Sequence, residues 1–223
     1  MQIVLDIKGA ADYSFADMKK VKAVIFDWGG VLIDNPTPGM FAHFAAEFGV
    51  TVGEYAKAHA KFIEKFERGA ITEDCFWEKV CGELKVEAPK ETSLWARVFA
   101  GVYSTKIEMV ELAGSLHNAG YKTALLSNTE LPSMRYFQRL KLDIFDAVVL
   151  SCVEGTRKPE QRIYELTLER LGCKPKETVF IDDRLDYLEG AKEVGLNTII
   201  FENIEQVKEE LVKLSVVWRE RKL

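Results

Sequence analysis

Residues 21–30 read Val-Lys-Ala-Val-Ile-Phe-Asp-Trp-Gly-Gly, a short apolar run that ends in an aspartate followed, after one residue, by two glycines. An apolar run of this length without polar alternation is typical of a strand that is buried on both faces, as in a parallel sheet. The strand must end where the glycines begin. We therefore expect a buried parallel strand here, with Asp27 at its carboxyl end.

Four further runs of the same kind follow along the chain, with helical patterns between them. The other predicted strands are 122–127, 147–151, 178–182 and 198–201. Apolar residues recur at helical spacing from Met109 to Leu116, and Gly120 stands where that helix would end. The alternation of strands with helices predicts an α/β fold, a doubly wound parallel sheet with helices on both faces.

Residues 37–104 break this alternation, because they carry helical signals and no convincing strand. Thr72 is a suitable N-cap, with two acidic residues in the first turn of the helix that it would begin. The turn-forming residues 35–39, Asn-Pro-Thr-Pro-Gly, make a linker into this stretch. We predict three segments: an α/β domain formed by 21–36 and 105–223, a helical domain at 37–104 inserted after the first strand, and an N-terminal extension of unknown role at 1–20.

The composition is that of a globular protein with a mild acidic excess. Hydrophobic residues make up 48% of the 223 residues, and 13 Phe, 7 Tyr and 4 Trp supply too much apolar area for a disordered chain. The 30 Lys and Arg are outnumbered by 35 Asp and Glu. Because affinity for a phosphate backbone needs an excess of positive charge, we expect no nucleic-acid partner.

The chain shows no signal for secretion or for a membrane. Residues 1–20 include three aspartates, and no window reaches the roughly 18 consecutive apolar residues of a membrane span. The four cysteines form no CxxC pair, so we expect reduced, packed thiols. These features favour a cytoplasmic protein without a membrane partner, either a monomer or a homodimer.

Polar side chains follow the predicted strands at their carboxyl ends, where ligands bind in an open parallel sheet. They are Asp27 after the first strand, Ser127 and Asn128 at the second, Lys158 after the third, and Asp182 and Asp183 at the fourth. Carboxylates held close together repel one another unless a cation is present, and hard oxygen ligands suit Mg²⁺. A lysine beside them would neutralise a bound phosphate. These residues therefore predict one crevice suited to Mg²⁺ and to a phosphorylated ligand.

Four short motifs stand at these positions in order along the chain. They are Phe26-Asp-Trp-Gly-Gly-Val-Leu32, Leu126-Ser-Asn128, Gly155-Thr-Arg-Lys-Pro-Glu160 and Val179-Phe-Ile-Asp-Asp-Arg184. Together they resemble the haloacid dehalogenase superfamily of Mg²⁺-dependent phosphohydrolases, over nearly all of the chain from Val21 onward. The resemblance implies a Rossmann-like core, with residues 37–104 as the family's helical cap. Within it, residues 66–71 and 76–77 are similar to caps of the sugar-phosphatase-like branch.

The resemblance implies a role for each matching residue. Asp27 would be the nucleophile that forms an aspartyl-phosphate. Ser127 and the backbone of Asn128 would hydrogen-bond the phosphoryl oxygens, and Lys158 would neutralise charge on the nucleophile and the phosphate. The cap would exclude water and choose the substrate, with Arg68 within reach of it. The implied reaction is hydrolysis of a small phosphomonoester, first of all a sugar phosphate.

The resemblance also implies a magnesium site formed by Asp27, the Gly29 carbonyl and Asp183, with Asp182 as a further ligand or as a supporting partner. The chain departs from family phosphatases at Gly29, where a second aspartate usually serves as general acid and base. A general acid contributes about 10²–10⁴-fold in rate. Protonation of the leaving group thus lacks an assigned donor. Tyr187 is a second departure, since similar sequences often carry Asn or Asp there.

Two other functions fit the same residues. A 2-haloacid dehalogenase would share the nucleophile and the lysine, but it needs no metal and usually lacks the paired acids found at Asp182 and Asp183. A catalytically weak or inactive protein with this fold, acting in binding or regulation, would account for Gly29 and Tyr187.

The remaining titratable residues are expected to be structural or to face solvent. His43, His59 and His117 lie on predicted helices without the spacing of metal ligands. Asp34 is expected to be a solvated loop carboxylate. The tail at 219–222 is expected to be a solvated helix end.

Overall fold

The computed structural model describes residues 21–219. Five strands lie in this range: β1 (Ala23–Phe26), β2 (Lys122–Ser127), β3 (Ala147–Leu150), β4 (Thr178–Asp182) and β5 (Asn197–Ile200). They form one sheet in the order β3-β2-β1-β4-β5, and every neighbouring pair is parallel. The expected parallel sheet is confirmed, with strand ends within two residues of the predicted ones.

Helices occupy most of the chain between the strands. Those between β1 and β2 are α1 (Thr37–Phe48), α2 (Val52–Ala60), α3 (Ile63–Glu67), α4 (Glu73–Leu84), α5 (Leu94–Val102) and α6 (Ile107–Asn118). Those after β2 are α7 (Leu131–Leu140), α8 (Ser151–Glu154), α9 (Gln161–Leu171), α10 (Leu185–Val194) and α11 (Ile204–Lys213). The predicted cap residue Thr72 is confirmed, because its hydroxyl accepts the N–H of Cys75 at the start of α4.

Helices cover both faces of the sheet. Successive residues of a buried strand point to opposite faces, so alternate residues of β1 pack into two different apolar clusters. On β1, Val24 and Phe26 pack into the apolar cluster that includes residues of α6, α7 and α11. Ala23 and Ile25 pack into the cluster that includes residues of α9 and α10. The sheet is therefore doubly wound, as the alternation of elements predicted.

Helices α1–α5 occupy residues 37–102 and share an aromatic core. The ring of Phe44 lies 4.9 Å from that of Trp77 and 5.4 Å from that of Trp95, measured between centroids. Phe66 stacks on Phe76 at 4.7 Å. Aromatic pairs at these distances stabilise a fold beyond the area they bury. The stretch is helical throughout, while its status as a separate domain bounded at 37 and 104 stays a prediction.

Helix α5 joins these helices to the sheet region beside the site. Trp28, the residue that follows Asp27, lies between Phe99 of α5 and Phe137 of α7, with ring centroids 5.4 Å from each. Phe99 also contacts Tyr136 of α7 at 5.4 Å. The backbone next to Asp27 is thus held by side chains from the inserted helices and from the α/β part.

Some expectations concern the ends of the chain. Residues 1–20 and 220–223 lie outside the described range, and so do the predicted extension and most of the predicted tail. Helix α11 ends at Lys213, so Arg219 does not stand at a helix end as expected, although it is exposed. Within residues 21–219, no helix combines the length and the apolarity that crossing a bilayer requires.

Candidate active site

The predicted site residues meet at the carboxyl edge of the sheet. Strands β1, β2 and β4 are neighbours, so the residues at their ends lie side by side. Asp27, Asp182 and Asp183 each offer a carboxylate oxygen within 4.8 Å of the other two. Burial raises the pKa of Asp27 to about 7, with Lys158 lowering it and the charge of Asp182 raising it further.

Lys158 is buried between two of these carboxylates. Its Nζ lies 2.7 Å from Asp27 Oδ1 and 2.6 Å from Asp182 Oδ2. Burial works against the ammonium charge, but the two carboxylates outweigh it and raise the pKa of Lys158. The rings of Phe180 and Tyr187 lie 5.3 and 4.8 Å from Nζ and favour the cation further. Lys158 is therefore a fixed positive charge beside Asp27.

The side chain of Asn128 holds the backbone of Lys158 in place. Its Oδ1 accepts the N–H of Lys158 at 2.8 Å, and its Nδ2 donates to the Lys158 carbonyl at 3.0 Å. The same amide donates to Tyr187 Oη at 3.2 Å. The sequence predicted a role for the backbone of Asn128, but the bracing role of its side chain emerges only from the fold. Tyr187 belongs to the same bracing network.

Asp182 and Asp183 differ in what they contact. Both oxygens of the fully buried Asp182 are engaged, since one accepts from Lys158 Nζ at 2.6 Å and the other from the Arg184 N–H at 2.9 Å. Asp183 is less buried and lines the cavity above the sheet edge. Asp182 is thus the partner of Lys158, whereas Asp183 lines the cavity.

The residues at this edge fit a magnesium ion. The carboxylate oxygens of Asp27, Asp182 and Asp183 lie within 4.8 Å of one another, and such oxygens are the hard ligands that Mg²⁺ prefers. Gly30 has φ +91°, and a Cβ there would collide with the Asp183 carboxylate. Glycine at position 30 therefore lets Asp183 approach the backbone of the β1 loop, where the Gly29 carbonyl lies.

A cavity of about 190 Å³ separates this edge from the inserted helices. Its floor is formed by Asp27, Ser127, Lys158 and Asp183. The opposite wall includes six apolar or aromatic side chains from α1, α2, α3 and α5: Met40, Phe41, His59, Ile63, Trp95 and Phe99. A phosphate on the floor would therefore direct the rest of its molecule toward a mostly apolar wall.

The cavity wall also contains carboxyl groups and a histidine that the sequence did not assign to the site. Glu67 at the end of α3 and Glu130 before α7 line it, as does His59, which was expected to be structural. Burial lowers the pKa of His59 to about 4, so its ring is neutral. Adjacent sequence carries no signal for these three residues, because they meet only through the packing of α2, α3 and α7.

Arg68 is not among the residues that line the cavity, and its contact with a substrate stays a prediction. Its guanidinium forms a bidentate ion pair with Glu160 and donates to the Gly155 carbonyl at 3.2 Å. Bidentate pairs between a guanidinium and a carboxylate are strong, so this contact holds the Arg68 side chain against Glu160. The neighbouring Glu67 faces the cavity instead and pairs with Arg157 at 2.8 Å.

Three further residues for which the sequence predicts no role in the site lie away from it. Asp34 is exposed and pairs with Lys106 at 2.6 Å, as expected for a loop carboxylate. His43 is exposed and contacts the Gly39 carbonyl at 2.8 Å, and His117 lies near Asp146 on the α6 side of the sheet.

Comparison with known proteins adds three findings. The chain is 31% identical over 218 residues to acyl-CoA dehydrogenase family member 10 of Mus musculus, covering 93% of this chain and 20% of that protein. It is 28% identical over 178 residues to the sesquiterpene phosphatase astK of Aspergillus oryzae, covering 78% of this chain and 87% of that protein. The wild-type HAD family enzyme bt-2542 of Bacteroides thetaiotaomicron, solved with magnesium and inorganic phosphate, superimposes with a TM-score of 0.67 at 23% identity, over 82% of this chain and 94% of that one.

The family model for haloacid dehalogenase-like hydrolases matches residues 21–195. This range contains β1 with Asp27, the inserted helices and all four motifs. The parallel sheet and the meeting of the motif residues at one edge agree with that match. The chain therefore belongs to the haloacid dehalogenase-like hydrolases.

Proposed function

We propose that this protein is a Mg²⁺-dependent phosphatase that hydrolyses a small phosphomonoester through an aspartyl-phosphate on Asp27. The observation that carries the proposal is the floor of the cavity, where the Asp27 carboxylate lies 2.7 Å from the Lys158 ammonium and within 4.8 Å of the Asp183 carboxylate. A nucleophile, a fixed cation and a metal ligand in one small space match phosphoryl transfer. The sesquiterpene phosphatase relative supports the same reaction class.

Each floor residue has a task that follows from its contacts. Asp27 Oδ1 is tied to Lys158, so Oδ2 is the oxygen placed to attack phosphorus. Among residues 21–219, the Ser127 hydroxyl has one contact, at 3.3 Å with the Asn128 carbonyl, and it can turn toward a phosphoryl oxygen. Asp27, Asp183 and the Gly29 carbonyl would hold Mg²⁺, which would offset the negative charge of the carboxylates and the phosphate.

The cavity limits the substrate. A volume of about 190 Å³ suits a phosphate with a small leaving group. The sugar phosphate expected from the motifs stays a prediction, because Met40, Phe41, Trp95 and Phe99 favour a leaving group with apolar surface. The test panel should therefore include both sugar phosphates and prenyl or aromatic monophosphates.

The first prediction concerns the nucleophile. Asp27→Asn removes the attacking carboxylate but keeps its shape, so Mg²⁺-dependent phosphate release should fall by about 10³-fold or more. The measurement is phosphate release across the panel, with Mg²⁺ and with a chelator. Asp34→Asn is the matched control, because Asp34 is an exposed carboxylate paired with Lys106 outside the cavity. Equal activity in Asp27→Asn and wild type would overturn the assignment.

Two measurements distinguish the alternatives that share these residues. A 2-haloacid dehalogenase would release halide from 2-haloacids in the absence of Mg²⁺. A binding or regulatory protein, the alternative that Gly29 favours, would not form a beryllofluoride complex on Asp27 that mimics the aspartyl-phosphate. We expect no halide release and a Mg²⁺-dependent beryllofluoride complex that Asp27→Asn abolishes.

A further inference from the structure

The proposed phosphatase lacks a proton donor at position 29, and the following inference rests on that proposed function. When the bond between phosphorus and an ordinary alkoxide breaks, the leaving oxygen needs a proton. Gly29 has no side chain to supply one. The donor must therefore come from another side chain that lines the same cavity.

Glu130 lines this cavity together with Asn128, which stands two residues before it in the chain. It is 8% exposed, and its Oε2 accepts the hydroxyl of Ser133 at 3.1 Å. Ser133 is in turn held by the indole N–H of Trp95 at 2.9 Å. Within residues 21–219, Glu130 has no ion pair with a Lys, Arg or His. A buried carboxyl without a cation favours its neutral, protonated form.

The groups around Glu130 keep it in that form. Burial raises the pKa of Glu130 to about 8, and the negative charge of Glu67 raises it further. Tyr55 and Cys152 face it from α2 and α8, and burial raises the pKa of each, so both are neutral. His59, on the same cavity wall, is also neutral. Lys158 and Arg184 line the same cavity, but Lys158 pairs with Asp27 and Asp182 and Arg184 pairs with Asp186.

The other titratable groups of the upper wall are poorer donors. Burial raises the pKa of Glu67, but its 2.8 Å ion pair with Arg157 opposes that shift and engages Oε2 of the carboxylate. His59, with a pKa of about 4, holds no acidic proton at neutral pH. Glu130 therefore remains as the protonated acid of this wall.

We propose that Glu130 is the general acid that replaces the missing side chain at position 29. As Asp27 attacks and its bond to phosphorus forms, the bond between phosphorus and the leaving oxygen breaks. The leaving oxygen takes the bonding pair and the proton of the Glu130 carboxyl, and an alcohol departs. In the second half, water attacks phosphorus and gives a proton to the Glu130 carboxylate, while Asp27 leaves with its bonding pair.

The test compares leaving groups that do and do not need a proton. Glu130→Gln should lower kcat/KM for an alkyl phosphate by about 10²–10⁴-fold, while the loss with p-nitrophenyl phosphate, whose leaving group needs no proton, should be at least tenfold smaller. Glu154→Gln is the matched control, because Glu154 lies on α8, pairs with Arg170 of α9 and does not line the cavity. A loss of equal size with both substrates would overturn the proposal.

A second variant tests for rescue. A Cβ at Gly29 would come no closer than 3.6 Å to Pro36, and the backbone there does not have positive φ, so a side chain can start from this position without strain. Gly29→Asp placed in the Glu130→Gln background should restore at least tenfold of the alkyl phosphate activity. Beryllofluoride binding shows whether the Mg²⁺ site of the double variant is intact. If it is intact and activity does not rise, the loss in Glu130→Gln is not caused by a missing acid.

A third variant covers the case in which Glu130→Gln does not fold. Ser133→Ala removes the hydroxyl that stabilises the Glu130 carboxylate, so the basic limb of the pH profile for the alkyl phosphate should move to higher pH. An unmoved limb would overturn the proposal. If the wild type hydrolyses no monophosphate at all, the proposed phosphatase function fails. If the wild type is active and one of the tests above gives the contrary result, only the proposed role of Glu130 is overturned.

Discussion

Gly29 and Gly30 are adjacent, yet the structure constrains them in opposite ways. Gly30 has φ +91°, and any Cβ there would collide with the Asp183 carboxylate. At Gly29 the nearest atom to a Cβ would be Pro36 Cδ, at an ordinary contact distance of 3.6 Å. The close approach of Asp183 therefore requires glycine at position 30, whereas the packing at position 29 leaves room for a Cβ.

This contrast makes a prediction about metal affinity. Gly30→Ala should push the Asp183 carboxylate away and weaken Mg²⁺ binding by about 10–100-fold, the range found when support of a metal ligand is lost. Gly29→Ala is the matched control and should leave the affinity near that of wild type. Titration calorimetry with Mg²⁺ measures both variants. Equal affinities would show that Asp183 is not a ligand.

The pH dependence of stability gives a readout of Glu130 that needs no substrate. Its pKa of about 8 in the fold lies above the ordinary value of 4.5, so the folded state holds more protons than the unfolded state between these values. The stability that Glu130 contributes therefore falls as pH rises from about 5 to 8. Glutamine does not titrate, so the Tm of Glu130→Gln should rise relative to wild type from pH 5 to pH 9. A difference in Tm that is independent of pH would show that Glu130 titrates alike in both states.

Sequence predicted the floor of the site better than its wall. Asp27, Ser127 and Asp183 follow strands, and parallel strands bring their carboxyl ends to one edge whatever packs above them. Glu130 gains its properties from burial beneath Trp95, whose indole bonds Ser133 across 38 positions of sequence. No local pattern encodes that burial, so the wall could not be predicted.

At the scale of elements, the end of α3 is fastened to α8. The Ser151 hydroxyl donates to the Glu67 carbonyl at 2.6 Å. Gly69 follows with φ +64°, and a Cβ there would collide with the Cys152 carbonyl. Ion pairs of Glu67 with Arg157 and of Arg68 with Glu160 flank this contact. Residues 66–71, which resemble caps of the sugar-phosphatase-like branch, therefore attach the end of α3 to α8.

Gly69→Ala should weaken the contact between the end of α3 and α8. The added methyl group meets backbone in a left-handed conformation, so we expect a loss of about 1–3 kcal/mol in the free energy of unfolding. Gly82→Ala is the control, because Gly82 lies in helix α4 with open space around it, and it should gain about 0.5–1 kcal/mol. Denaturant unfolding measures both. A Gly69→Ala variant as stable as wild type would show that the two segments separate without cost.

At the scale of the whole molecule, one apolar cluster runs from the sheet into the inserted helices. It contains Phe26 and Leu125 of the sheet together with Phe44, Trp77 and Trp95 of the insert. Two segments that share a core lose their packing together. The sequence predicted where the helical insert begins, but not that its core would be continuous with that of the sheet, because both segments show ordinary amphipathic patterns.

This continuity predicts cooperative unfolding. Thermal melts followed by far-ultraviolet and by near-ultraviolet circular dichroism should show one coincident transition. The aromatic side chains report mainly on the insert, and the backbone signal reports on the whole chain. Two separated midpoints would show that residues 37–104 and the α/β part unfold as independent domains.

The packing of Trp28 has a consequence for selectivity. The Trp28 ring packs between Phe99 and Phe137, and the backbone N–H of Trp28 acts on the Asp27 carboxylate and lowers its pKa. A molecule too bulky for the cavity would hold α5 away, shift Trp28 and turn the attacking oxygen out of line. Oversized substrates would then bind and still react slowly. With Asp27 as the proposed nucleophile, the protein would then discriminate by size through the orientation of this carboxylate, and kcat would fall before KM rises.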